Sequence, residues 1–310
     1  MRNYSIFPDY GAKRDLARMS ETVIQNKANV PDIDYIEKKD PLFMSDYAKE
    51  IFKYFKEEES KTTLPADFLK GQQFIKSAMR RKLVDWLSEV SSLLGLLTET
   101  YHLIIYIIDK YLSLNKRVGK GEFQLVGVAA ILIASKYEEY SYVVISDLIT
   151  LTGGTYTAEM IKEKEVDILN TLDFLIIRPT TLDFLRRFSR AFENDIKCHF
   201  LAKYILESAT LDEKLMEVPV SRLAAAAVYL ARRMCGIQPY WNDTVSYYSE
   251  YNLRDIIPTA IQLNCLMMFV KSPECLQTKI REKYLDKKYQ EVSLVPPVVF
   301  TSEEINASNS

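Results

Sequence analysis

The chain has 310 residues, 48% hydrophobic and 26% charged, with a formal net charge of −2, the balance of a folded soluble protein long enough for two cores. That charge gives no global field toward nucleic acid or anionic membrane, so neither is expected as a partner. Four cysteines without C-x-x-C spacing and only two histidines argue against a Cys/His zinc site, and no metal or cofactor is expected.

Residues 1–44 alternate polar and apolar side chains without a helical period and read as a mobile N-terminal tail. The first residues lack an apolar core of signal-peptide length, and no unbroken run of about 18 apolar residues occurs. An intracellular, soluble protein with reduced, mostly buried thiols is expected. Residues 45–75 read as a helix and loop. Ser45 is placed to cap "DYAKEIFKYFKEEE", in which Tyr47, Ile51, Tyr54 and Phe55 form one aromatic face that must dock on something.

No proline occurs between Pro65 and Pro179, and apolar periodicity there marks helices near 77–94, 98–115, 121–138, 143–151 and 157–172. Gly95, Gly119 with Gly121, and Gly153 with Gly154 sit in or near three of the breaks. After Pro179, Thr180 or Thr181 can cap the first of five more helices, near 181–192, 195–210, 220–235, 243–249 and 253–270. "VDWL" at 84–87 recurs as "LDFL" at 182–185, and "AAILIA" at 129–134 as "AAVYLA" at 226–231, shifts of 98 and 97 residues. The expected fold is all-α: two stacked five-helix repeats, 76–177 and 178–272, followed by a C-terminal extension, 273–310. Small residues put the third helix of each repeat at the centre.

Catalytic constellations are missing. "GKGEF" at 119–123 lacks the phosphate-loop pattern, and no H-E-x-x-H, G-x-S-x-G or EF-hand loop occurs. Glu138 with Glu139, and Glu163 with Glu165, read as solvated charge, and a non-enzyme is expected. On the helix "MRRKLVDWL", Met79, Leu83, Trp86 and Val90 share one face, and Val84, Leu87 and Ser91 another. Two apolar stripes on one helix raise the question of what the second touches.

Three segments, "MRRKLVDWLSEV", "QLVGVAAILIASKYEE" and "TYTAEMIKEKEVDILNTLDF", resemble the cyclin box in order and spacing. "DIDYIEKKDPLFMSDYAKEIF" and "RPTTLDFLRRFSRA" resemble the B-type, mitotic cyclins. The resemblance covers about 32–272 and implies an activating subunit of a cyclin-dependent protein kinase, which stabilises the inward position of the kinase C-helix and contributes no catalytic group. Lys136 and Glu165 match the pair that binds the kinase backbone around that helix, and Ile133, Tyr137, Leu169 and Phe174 match the pocket receiving it. Met79, Leu83, Trp86 and Gln124 match an exposed patch that recruits Arg-x-Leu motifs, with Glu89 as the acid meeting the arginine. Val84 and Leu87 are then the core stripe. Arg186, His199 and Lys203 match a phosphate pocket for phosphorylated motifs. Arg80 and Asp109 match a structural pair.

The sequence departs from the family at Lys82, where an aliphatic residue is usual, and at "YSYVV" after Glu139, where the family carries "PP". "KRDL" at 13–16 is the only string like an R-x-x-L destruction box, with Lys13 in the arginine position, and there is no K-E-N. An S-phase cyclin and a cyclin-fold transcription-factor core binding DNA are the alternatives; an all-α enzyme is a third. Nucleus and cytoplasm are the expected compartments.

Overall fold

The computed structural model describes residues 30–35, 44–192 and 195–301, and among these the chain is all-helical, without a strand. The first helix, α1, spans Ala48–Thr62. Then follow α2 Ser77–Leu93, α3 Thr98–Leu114, α4 Phe123–Glu138, α5 Ile145–Leu151 and α6 Ala158–Thr171. A second set of five comprises α7 Thr181–Ala191, α8 Ile196–Ala209, α9 Val220–Cys235, α10 Asp243–Ser249 and α11 Leu253–Lys271. A short α12, Lys279–Lys283, closes the series. Each of the ten periodic stretches is a helix whose ends lie within two residues of the expected ones, inside the usual uncertainty of a helix terminus.

Two helices organise the molecule. α4 buries twelve of its sixteen residues and packs against α3 and α6. α9 likewise buries twelve of sixteen, against α7, α8 and α11. The duplicated alanines explain the placement: Ala129, Ala130, Ala134, Ala226, Ala227 and Ala231 are all fully buried, and short side chains let neighbouring backbones close in. Gly127 on α4 takes this furthest, because a Cβ there would stand 3.1 Å from Leu83 Cδ1. α11 is long and apolar enough to cross a membrane by composition alone, but its apolar residues pack on α8 and α9.

Local signals work where their partners are near in sequence. Thr180 starts α7 through a capping box, its backbone N–H and hydroxyl both donating to Asp183 Oδ2, at 2.7 and 2.8 Å. Gly153 and Gly154 end α5 with φ of +61° and +74°, values that suit glycine.

Three expectations are corrected. Ser45 does not cap α1; it lies in a 3-10 turn, Ser45–Tyr47, and its hydroxyl makes no hydrogen bond among the described residues. The inward face of α1 is Ala48, Phe52, Phe55 and Glu59, not the Tyr47–Ile51–Tyr54 stripe; Tyr47 and Tyr54 are exposed. The reason is tertiary: Phe52 and Phe55 stack edge-on against Phe184 of α7, and that ring, not the helical period, selects which aromatic face docks. The tail is also ordered in part. Ile33 and Asp34 are buried, and Arg187 donates to both Asp34 oxygens at 2.8 and 2.9 Å. Tyr248 holds the same segment, donating to the Pro31 carbonyl and accepting the Ile33 N–H. Residues up to 29, with "KRDL", and 36–43 lie outside the described residues.

Candidate interaction surfaces

The last turn of α4 and the middle of α6 place Lys136 beside Glu165, the ammonium 2.7 and 2.9 Å from the two carboxylate oxygens. Lys136 is nearly half exposed and Glu165 mostly covered. Around the pair lies an apolar face: Tyr137, Val166, Phe174, Leu175 and Ile177 are each 47% exposed or more. Burial pushes the Tyr137 phenol up, with Glu138 and Tyr54 of α1 adding to it. Large apolar side chains left exposed in this number at the ends of α4 and α6 are a candidate partner site.

Phe174 is presented by unusual backbone. Asp173 and Phe174 are consecutive non-glycine residues at φ +51° and +58°. A bulky residue there is strained and is held only by its surroundings. Here the Phe174 N–H donates to the Leu169 carbonyl at 2.9 Å and the Asp173 N–H to Asn170 at 3.2 Å. Leu169 is half-buried against the core. Ile133 departs from expectation: at 3% exposure it belongs to the core and offers almost no surface to a partner.

The α2–α4 patch is shallower than expected. Met79 and Trp86 are half-buried against the core, but Leu83 is only 7% exposed. The physical reason is angular: Leu83 and Leu87 are four residues apart, about 40° around a helix of 100° per residue, so Leu83 belongs to the core stripe. It fills the space over Gly127 and floors the patch. Val84 and Leu87 are fully buried and Val90 nearly so. Gln124 faces the Tyr156 hydroxyl at 3.5 Å, a contact too long to bind tightly. Glu89 is in an ion pair with Lys279 of α12 at 2.9 Å.

On α7 and α8, His199 and Lys203 stand one turn apart, and Arg186 acts on both. Burial, then Lys203 and Arg186, pushes His199 down to about 4, and its Nδ1 meets the Ser189 hydroxyl at 3.1 Å. Lys203 is pushed down to about 8, first by burial, against Glu207, with Lys283 and Arg186 adding. Arg186 itself pairs with Glu99. The three cations and donors therefore share one field, and Arg186 already faces the Glu99 carboxylate.

Arg80 and Asp109 form a buried two-pronged ion pair at 2.7 and 2.6 Å. The third Arg80 nitrogen donates to the Thr210 carbonyl at 2.8 Å, so the pair also bolts the first repeat to the second.

Several working residues escaped the sequence reading. Glu139 is not solvated charge: its Oε1 accepts the Leu97 N–H and the Thr100 hydroxyl, at 2.7 and 2.6 Å, and closes the start of α3. Glu59 is buried, accepting the Ser221 N–H and hydroxyl and fixing α1 to α9. Glu207 is fully buried. Burial would raise it, but Lys283, Lys203 and the Tyr284 hydroxyl hold it below the usual carboxylate range. Lys283 and Tyr284 thereby tie the C-terminal extension to α8. Of the thiols expected to be mostly buried, Cys198 and Cys275 are buried, Cys235 is partly covered and Cys265 is exposed.

Two stacked five-helix units that display an ion pair at the rim of an exposed apolar face define an all-helical interaction module. The family model described as the cyclin N-terminal domain matches residues 50–177, and that described as the cyclin C-terminal domain matches 179–298. The chain is 35% identical over 298 residues to a G2/mitotic-specific cyclin-B of Hydra vulgaris, covering 96% of this chain and 81% of that one. It is 36% identical over 282 residues to a protein of the same name from Dictyostelium discoideum, covering 90% of this chain but 64% of the relative. A human G2/mitotic-specific cyclin-B2 is 35% identical over 267 residues, 86% of this chain and 66% of that one. Among solved structures, a viral cyclin from herpesvirus saimiri superposes with a TM-score of 0.59 at 19% identity, covering 69% of this chain and 97% of that chain. A chain of the yeast RNA polymerase II CTD kinase complex gives 0.57 at 14%, covering 79% and 96%. These two bear on fold alone. The chain belongs to the cyclin family.

Proposed function

We propose that this chain is the activating subunit of a cyclin-dependent serine/threonine protein kinase, of the B type that acts at G2 and mitosis. The observation that carries the reading is the Lys136–Glu165 pair set at the edge of the exposed Tyr137–Phe174 face. Two opposite charges can each take a backbone group at a helix end, while the apolar surface beside them buries that helix's side chains. A surface rigid enough to bind one position of the helix favours that position by its differential affinity. The relatives named G2/mitotic-specific cyclin-B favour this over the S-phase and DNA-binding alternatives.

Substrate recruitment belongs to the same proposal. Met79 and Trp86 over the Leu83 floor take the apolar residue of an Arg-x-Leu motif, with Gln124 beside them and Glu89 for the arginine. Arg186, His199 and Lys203 take a phosphorylated side chain.

The test is phosphate transfer by a purified monomeric cyclin-dependent kinase with and without this chain. A parallel sample carries Lys136→Ala with Glu165→Ala, its helix content checked by circular dichroism. Strong activation by the wild type, lost in the folded double variant, is expected. An absence of activation across a panel of such kinases would overturn the reading.

A further inference from the structure

After α11 the chain turns back onto α2. Lys279 opens α12 by donating its backbone N–H to Asp85 Oδ1 at 3.0 Å, and its ammonium stands 2.9 Å from Glu89 Oε1. Glu282 steadies that ammonium from 3.5 Å and itself accepts the Thr278 hydroxyl at 2.6 Å. The segment is anchored beneath by Ile280 and Tyr284, both almost wholly buried, and by the bonds of Lys283 and Tyr284 to Glu207. The lysine is therefore delivered to Glu89 by a fixed support.

Glu89 is the acid that the proposed docking function assigns to a motif's arginine, and the inference rests on that reading. In this chain the carboxylate already has a cation in contact. The two side chains are 35% and 41% exposed, so water reaches both, and exchanging one cation for another strands no buried charge. Lys82, exposed on the same helix, adds a second positive charge to the helix that carries the patch.

We propose that Lys279 is a built-in competitor for the arginine of a docking peptide and so sets what the patch selects. With Lys279 on Glu89, the peptide's apolar residue at Met79 and Trp86 carries binding, and its arginine adds little. The site then accepts apolar motifs that lack a basic residue. Removing Lys279 restores a free acid and makes the arginine matter.

The experiment is fluorescence anisotropy on the full chain with two labelled peptides, one bearing Arg-x-Leu and the other the same sequence with alanine for arginine. Losing the peptide's arginine is expected to weaken binding by less than about twofold on the wild type and by about fivefold on Lys279→Met. The added change Glu89→Gln should bring the penalty back below about twofold. Equal penalties on wild type and Lys279→Met would overturn the proposal and leave docking standing. If neither peptide binds any variant, or Trp86→Ala binds as the wild type does, the docking reading fails and the proposal with it. Lys279→Gln, which keeps much of the stem, repeats the measurement should methionine disturb α12.

Discussion

Arg80 holds Asp109 with two nitrogens and the Thr210 carbonyl with a third, so one guanidinium joins α2, α3 and the end of α8. Burial raises the Asp109 carboxyl, and Arg80 opposes that rise. Breaking such a pair from one side leaves a buried charge without its partner, at a cost of about 3–5 kcal/mol. Asp109→Asn is expected to lower the urea midpoint accordingly, and loss of kinase activation should follow unfolding. Replacing both residues by apolar side chains of similar volume should recover most of the loss. Equal unfolding midpoints for Asp109→Asn and the wild type would contradict the account.

Phe174 is held at positive φ with its ring two-thirds exposed, which makes it a residue whose value lies outside the free chain. Phe174→Ala is expected to change stability by less than about 0.5 kcal/mol, as surface substitutions do. Kinase affinity should fall about 30-fold, the cost of an aromatic anchor at an interface. Calorimetric unfolding and titration with the kinase separate the two effects. A large stability loss would assign the ring to this chain's own packing instead.

Much of the fold is legible in sequence because each helix announces itself locally, through periodicity, a capping threonine or a terminal glycine. What fails is anything decided by a distant neighbour. Phe184 chooses which aromatic face of α1 turns inward, and nothing within residues 45–62 encodes that choice. Arg187 and Glu59 could have been found: each is a charge lying on an apolar helical stripe, with Phe184, Phe188 and Ala191 around the first and Phe52 and Phe55 before the second. A charge in that position needs a buried partner, although the sequence does not name Asp34 or Ser221. The patch on α2 is shallower than its spacing suggests for a geometric reason, because Leu83 stands about 40° from Leu87 around the helix. Lys279 was invisible for a simpler one: α12 is five residues long, too short for periodicity to register.

Gly127 tests the packing under that patch. A Cβ at this position meets Leu83 Cδ1 at 3.1 Å, so a branched side chain between α2 and α4 must displace Leu83. Gly127→Val is expected to destabilise by about 1–3 kcal/mol through overpacking. It should also push Leu83 outward, so intrinsic fluorescence from Trp86, three residues along α2, should shift. Gly127→Val combined with Leu83→Ala should restore part of the stability, since the pair is coupled. Additive losses would show that the two residues do not share the space.

Acid sensitivity follows from the two histidines of the chain, both pushed down to about 4. For His199 the cause is burial, then Lys203 and Arg186. For His102 it is burial first, which Glu207 opposes while Arg178, Lys283 and Lys203 add to it; its Nε2 has no hydrogen-bond partner among the described residues, and the residue lines a cavity of about 30 Å³ between the repeats. Above pH 6.5 both rings are neutral folded and unfolded, and contribute no slope. Between about 6.5 and 4 the unfolded chain takes up protons that the folded chain refuses, so stability falls as pH falls, by about 1.4 kcal/mol per pH unit for each ring. Below about 4 both states are protonated and this slope ends. Carboxylates held low, such as Glu207 and Asp167, act below their own ordinary values and so extend the loss further down. Unfolding midpoints at pH 7, 6 and 5 for the wild type and for His102→Gln with His199→Gln isolate the two rings: the variant's profile should be flatter across that window. Ring-proton titration by NMR checks the values directly. A phosphate seated at Lys203 and Arg186 would favour the charged imidazole, so phosphopeptide binding should raise the His199 value. Titration of either ring near 6.5 in the free protein would remove the basis for both expectations.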